Sequence, residues 1–390
     1  MRILLLAPQP FFEIRGTPLA IRNMIRVLCG RGYSVDLITY PIGCDIEMEN
    51  LRIIRIPRII PVKEVGIGLS VRKIIFDLCL TYVASRQALH EDYDCIHGVE
   101  EAAFIAVVLG TLLKKPVVYD MDSLLSEQIS ATRGYAFVAP LARSIERWAV
   151  RKSALILTIG RRLADEAEKM CRTAKVAIVE DIPLDEADNE APVHIYPAEV
   201  FEGARIITYA GSLEHYQGVD LLIKAMPAVL AAVPEARCII IGGRKEQMRS
   251  MKALSNALGL GDSVMLLGGR DPEELKAYLT ASEVLVSPRR TGDNIPYKIY
   301  TYMASGKPIV ATDIGAHTAV LDEKSAFICG TDAVSLAAGL TKALTDNAEA
   351  QRRAARAERV ARENYTSQSF ERKLLEAYSI LGPFVLRSER

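Results

Sequence analysis

Charged, hydroxyl and glycine residues gather directly after several short apolar runs of this chain. The richest such segment is VSPRRTGDNIPYKIYTYMASGKPIVATD, Val286 to Asp313. Arg289, Arg290 and Lys298 cluster there with Gly292, Asp293 and Asn294. Pro296 precedes a helix, and Gly306 and Pro308 end that helix and begin a strand. Cations set among a carboxylate, an amide and glycine at a strand end suit a phosphorylated sugar. The charges meet a diphosphate and the smaller polar groups meet hydroxyls. A second loop, Pro8 to Pro18, reads PQPFFEIRGTP. Gly16 lets a ligand approach the backbone, Thr17 can cap the next helix, and Pro18 suits its first turn. Helix amides and dipole favour an anion at such a point. The loop therefore fits a diphosphate or acceptor site, or a glycine turn with an ordinary cap. A third segment, YAGSLEHYQGVDLLIKA, offers the backbone at Gly211 and Ser212 to phosphate oxygens. Arg270, after the apolar run Val264 to Leu267, is a further candidate cation.

Carboxylates follow two other runs. Glu100 and Glu101 stand in IHGVEEAAFIA and Asp122 in VYDMDSLLSEQ. Any of the three could orient an acceptor hydroxyl or steady positive charge on a sugar. Glu100 and Glu101 read equally well as acids at a helix N-terminus. His97 is open to an acceptor-side role or a structural one at a strand end. No GxGxxG occurs, so a nicotinamide cofactor loses its usual support. Seven scattered cysteines without a close pair, and five histidines without HExxH or paired spacing, give neither a disulfide framework nor a metal site.

These loops need a scaffold that ends strands at one rim. Short apolar runs alternate with helix-period stretches: Ile3 to Ala7, Leu19 to Gly30, Ser34 to Tyr40, Cys95 to Gly98, Ala102 to Leu113, Val117 to Asp120, Ile145 to Lys152 and Leu155 to Ile159. Continuous apolar strands separated by helices imply a parallel sheet covered on both faces. Between Leu184 and Gly203 the pattern fails in an acidic, proline-containing stretch. It restarts at Ile206 to Ala210 and runs on through strands at Arg237, Val264, Val284, Pro308 and Ala326. The expected class is α/β, with two doubly wound Rossmann-like domains facing a central cleft. The expected boundaries are 1–185 on the acceptor side, a linker at 186–203, a nucleotide-sugar-binding domain at 204–365 and a closing helix at 366–390.

Composition narrows the partners. Forty-eight basic residues balance forty-eight acidic ones, so no overall attraction to nucleic acid is implied. The apolar N-terminus is cut short by Pro8 and Pro10 and reads as a first strand rather than a signal peptide. Phe104 to Leu113 is too short to span a bilayer. Cysteine usage points to the cytoplasm. A peripheral membrane contact is open to Ile53–Lys73, where apolar residues mix with Arg55, Arg58, Lys63, Arg72 and Lys73, or that stretch is a strand and loop with solvated charges.

In this order the segments resemble the family 4 retaining glycosyltransferases of the two-Rossmann (GT-B) architecture, over nearly the whole chain. YAGSLEHYQGVDLLIKA resembles the glycine-turn segment opening the donor domain, and PYKIYTYMASGKPIVATD the helix and strand of the nucleotide-sugar site. IHGVEEAAFIA and VYDMDSLLSEQ resemble acceptor-side strand ends. ENYTSQSFERKLLEAY resembles the final helix, which in this architecture crosses back to the first domain. Four departures stand out. The family's usual Arg and Lys fall on Ser212 and Gln217, its two glutamates on Asp293 and Thr301, and its acceptor-domain His on Asp122. Arg289, Arg290 and Lys298 are then the cations left to supply the missing charge, with the Gly16 helix opposite.

The resemblance implies hexosyl transfer from a nucleotide-diphosphate sugar to an acceptor hydroxyl, with retention and with neither metal nor cofactor. Sugar, glycolipid and polysaccharide acceptors are all compatible. It implies catalytic roles for Asp122, Arg289 and Lys298, donor contacts at Gly16, Thr17, Gly211, Ser212, Arg270, Arg290, Asp293, Asn294 and Thr301, and acceptor-side roles for His97, Glu100 and Glu101. A nucleotide-sugar epimerase or hydrolase on the same plan is an alternative. So is a non-catalytic sugar-nucleotide binder, which Ser212, Gln217 and Thr301 favour.

Overall fold

The computed structural model of the 390-residue chain describes residues 1–12, 16–59, 71–131, 136–184, 203–292 and 294–382. The chain divides into two compact units, Met1–Glu180 with Gln368–Arg390, and Asp181–Ser367.

The first unit holds β1 (Arg2–Ala7), β2 (Ser34–Thr39), β3 (Leu51–Arg55), β4 (Cys95–Val99), β5 (Val117–Met121), β6 (Leu155–Thr158) and β7 (Val176–Ile178). They form one parallel sheet in the order β3-β2-β1-β4-β5-β6-β7. Ile3 to Ala7 are wholly buried, as an unbroken apolar run requires when helices cover both faces. On one face Phe76, Ala106, Ala149 and Leu163 bring the helices Val71–His90, Ala102–Leu113, Ala139–Lys152 and Arg161–Met170 onto Leu4, Leu6 and Ile96. Successive strand residues point to opposite faces, so His97 lies on the other one. There the final helix, Ser367–Ser379, meets the sheet, with Tyr378 Oη 2.6 Å from His97 Nδ1. Lys373 Nζ on the same helix donates to Glu180 at 2.7 Å.

The second unit holds β8 (Arg205–Ala210), β9 (Ala236–Ile241), β10 (Val264–Gly268), β11 (Val284–Ser287), β12 (Ile309–Thr312) and β13 (Phe327–Cys329), parallel in the order β10-β9-β8-β11-β12-β13. Leu222, Met226, Leu336 and Leu340 of the helices Val219–Ala232 and Ala333–Thr345 cover one face. Ile299, Tyr300 and Met303 of the helix Tyr297–Ala304 pack with Leu285 in a separate core.

Both units are thus doubly wound and Rossmann-like, as the alternation of runs implied. Strand order reverses between β1 and β4 and between β8 and β11, the points where open α/β sheets bind ligands beyond their carboxyl ends. The stretch Ile53–Lys73 is described only at its two ends. Ile53 to Arg55 finish β3, Val71 already opens a twenty-residue helix, and residues 60–70 lie outside the described residues. Of the expected linker, 186–203, all but Gly203 lies outside them as well. Among the described residues no helix is long and apolar enough to cross a membrane.

Candidate active site

At the rim of the second sheet, Pro296 starts the helix Tyr297–Ala304 and Lys298 is carried on its first turn. The Lys298 side chain runs inward, over the Tyr209 ring, with Nζ 3.9 Å from the ring centroid. Nζ also donates to Gln217 Oε1 at 3.3 Å. No carboxylate among the described residues forms an ion pair with it. Burial, with a smaller push from Arg289, holds its pKa well below the usual lysine range. Gly211 makes room for this ammonium. Its φ is +147°, and a Cβ there would stand 2.8 Å from Lys298 Nζ and 3.1 Å from Tyr209 Oη. Gly218, at φ +69°, brings the next helix so close to the β11 loop that a Cβ would lie 2.0 Å from the Pro288 oxygen.

The neighbouring cations are held by their own surroundings. Arg289 is 5% exposed, and its Nε donates to Thr291 O at 2.8 Å, Nη1 to Asn294 O at 2.9 Å and Nη2 to Asn294 Oδ1 at 2.8 Å. Arg289 therefore builds the loop, and its charge reaches Lys298 and His317 as a field. Arg290 Nη2 pairs with Asp220 at 2.5 Å, which fastens the β11 loop to the helix Val219–Ala232. Arg270 follows the edge strand β10, where Nη1 donates to Gly269 O at 3.2 Å and Nε lies 3.8 Å from Glu274, two strands away from β8.

Other expected donor residues also make bonds within this unit, Ser212 through its carbonyl. The Gly211 amide donates to Ile241 O at 2.9 Å, so that N–H is spent inside the sheet. The Ser212 carbonyl accepts from Tyr209 Oη at 2.5 Å. Thr301 Oγ1 accepts from the Leu184 amide at 3.2 Å and anchors the start of this unit. Asp293 lies outside the described residues.

Beneath the rim sits His317, which sequence reasoning passed over. Burial brings its pKa down to about 4, so the ring is neutral. Nδ1 donates to Thr312 O at 2.8 Å and Nε2 accepts from Ser287 Oγ at 2.9 Å. Thr312 Oγ1 in turn donates to Arg289 O. Arg244 was also missed. It follows the glycine pair Gly242-Gly243 that ends β9 and bonds to Glu214 at 2.8 Å. The run IIIGGRKE carried that signal.

The first unit gathers acids at the corresponding rim. Glu100 follows β4 with φ +49°, a left-handed conformation uncommon outside glycine. Its amide donates to Asp120 O at 2.9 Å and its Oε1 accepts from Ser123 Oγ at 3.3 Å. Burial, reinforced by Glu101, pushes its pKa up to about 7. Glu101 pairs with Lys73 of the helix Val71–His90. One turn further along that helix, Asp77 accepts from Tyr40 Oη at 2.5 Å and burial pushes it up to about 6. Asp122, 9% exposed, follows β5. Gly16 and Thr17 are the first two residues of the helix Gly16–Gly30, and residues 13–15 lie outside the described residues. His97 is not at the strand end. It is wholly buried within β4, bonded to Tyr378, with Nε2 3.6 Å from Asp120. Among the described residues no group of three or more His, Cys, Asp or Glu is placed to hold a metal ion.

Two family profiles match the chain. Residues 15–180 match "Glycosyl transferase 4-like domain", and residues 196–360 match "Glycosyl transferases group 1". The chain belongs to this glycosyltransferase family. Among curated relatives, the glycosyltransferase is 24% identical to the phosphatidyl-myo-inositol mannosyltransferase of Mycobacterium leprae, over 99% of this chain and 96% of that protein. It is 28% identical to the D-inositol 3-phosphate glycosyltransferase of Corynebacterium urealyticum, over 46% and 43% of the two chains. In fold it is similar to sucrose-phosphate synthase from Thermosynechococcus elongatus, with a TM-score of 0.75 and 17% identity, covering 98% of this chain and 99% of that one. Anabaena HepE in complex with UDP and glucose gives a TM-score of 0.72 at 15% identity, covering 97% and 99%. The two Rossmann-like units are those of the GT-B glycosyltransferases.

Proposed function

We propose that this glycosyltransferase moves a hexosyl group from a nucleoside diphosphate sugar to an acceptor hydroxyl, with retention and without a metal. The observation that carries this reading is the buried ammonium of Lys298. It lies at the strand-order reversal between β8 and β11 and has no carboxylate counterion among the described residues. A diphosphate supplies the missing negative charge, and the demand is greatest when the leaving oxygens gain charge in the transition state. Lys298 thereby takes the part of the cations absent at Ser212 and Gln217, and Arg289 adds its field from behind.

In the reaction the bond between the anomeric carbon and the diphosphate oxygen breaks, and its electron pair leaves with the diphosphate. The acceptor oxygen bonds to the same carbon on the same face. Its proton then passes to the adjacent leaving oxygen. Glu100 and Asp122 orient the acceptor hydroxyl, since Glu100 is held in a strained conformation at a strand end and both lie at the first sheet's rim. The acceptor is a sugar, a glycolipid or a polysaccharide precursor. The inositol-containing names of two relatives favour a polyol or its lipid. The protein works in the cytoplasm.

The test incubates enzyme with a panel of nucleotide sugars, with and without candidate acceptors, in the presence of a chelator. Transfer that needs acceptor and survives chelation is the expected result. Donor turnover without acceptor identifies an epimerase or hydrolase instead, and loss of transfer on chelation overturns the metal-free mechanism.

A further inference from the structure

The outer side of the helices on one face of the first sheet is unusual for a surface. Ten of the thirteen large hydrophobic side chains exposed among the described residues lie on Val71–His90, Ala102–Leu113, Ala139–Lys152 and the turn leading into the last of these. The three helices pack side by side. Leu78 is 65% exposed, Tyr82 66%, Leu112 73% and Leu141 61%. Ile74, Leu78 and Tyr82 recur every fourth residue, so they form a stripe along the helix face turned away from Phe76 and Leu80. Apolar exposure this concentrated marks an interaction surface.

The charges on the same helices are one-sided. Arg72, Arg86, Arg147, Arg151 and Lys152 are exposed. The acids are turned inward: Asp77 accepts from Tyr40 Oη at 2.5 Å, and Glu146, wholly buried, accepts from Ser126 Oγ at 2.5 Å. The whole chain has a formal net charge of zero, so this is a local concentration of cations around an apolar centre. An anionic phospholipid surface complements both features, taking apolar side chains between acyl chains and cations among phosphates. We propose that this three-helix face rests on an anionic phospholipid membrane. The contact shares only Arg72 with the stretch Ile53–Lys73, is made chiefly by outward residues of three helices, and does not depend on the donor or acceptor reading.

Trp148, the only tryptophan of the chain, sits in this face 38% exposed and serves as reporter. Its emission is followed as the intact protein is titrated with vesicles of phosphatidylcholine alone, or of phosphatidylcholine with about one part in three phosphatidylglycerol. The expected result is a blue shift on the anionic vesicles only, weakening with salt. Leu78→Glu with Leu112→Glu abolishes the shift, and Arg147→Gln with Arg151→Gln lowers partitioning roughly fivefold per cation removed. Far-UV circular dichroism and Tm verify that both variants fold. No shift on anionic vesicles, or an equal shift on neutral ones, overturns the proposal. A shift that grows with protein concentration in the absence of lipid also overturns it, and assigns the face to a second copy of the chain. Neither vesicle measurement involves a sugar donor, so its outcome is separate from that of the transfer assay.

Discussion

The ammonium of Lys298 stands 3.3 Å from the side-chain oxygen of Gln217, at the position where the family's lysine would be expected. The two residues are 81 apart in sequence. The position that the resemblance assigns to a lysine thus has a cation beside it, carried on the helix Tyr297–Ala304.

A lysine kept in so dry a place without a counterion costs the ligand-free fold. Lys298→Met is expected to raise stability by about 1 kcal/mol at neutral pH, since a well-packed apolar side chain replaces an uncompensated buried cation. The native protein binds fewer protons here than the unfolded chain once pH exceeds the depressed native pKa. Stability of the native protein therefore rises with pH through the window below 10.5, and the variant lacks this rise. Urea denaturation at several pH values measures both effects.

The fold was legible where burial is complete on both faces. Ile3 to Ala7 and Val284 to Val286 are unbroken apolar runs because no position on a central parallel strand meets water. The helix Val71–His90 escaped notice for the reverse reason. Ile74, Leu78 and Tyr82 are apolar yet exposed, so the polar stripe that marks an amphipathic helix is missing. At the site, Lys298 could be picked out as a cation beside a proline and a helix start. The consumption of Arg289 could not, because it depends on the main-chain oxygens of Thr291 and Asn294, which no side-chain pattern names. Thr301 binds an amide 117 residues away, a distance over which spacing carries no information.

Glu100 gives the transfer reaction a pH signature. Its carboxyl is raised to about 7 by burial and Glu101, and only the ionised form accepts a hydrogen bond from an acceptor hydroxyl at full strength. kcat/KM is expected to climb as pH rises through that region. Glu100→Gln loses the climb and about tenfold or more in rate. A profile unchanged by the substitution removes Glu100 from the acceptor side.

His317 controls acid stability. The folded ring stays neutral down to about 4, while the unfolded ring takes a proton near 6.5. Its contribution is complete above pH 6.5 and falls away as pH drops toward 4, by roughly 3 kcal/mol in all. His317→Gln is expected to flatten Tm against pH over this interval. An unchanged slope in the variant shows that other groups govern it.

The grip of the second unit on diphosphate is tested most directly by calorimetric titration of native protein and Lys298→Ala with a nucleoside diphosphate and with the matching nucleoside. Native protein should bind the diphosphate, and the variant should lose about ten- to a hundredfold in diphosphate affinity. Its affinity for the nucleoside should stay the same. Equal losses for both ligands, or no loss for either, would contradict the account.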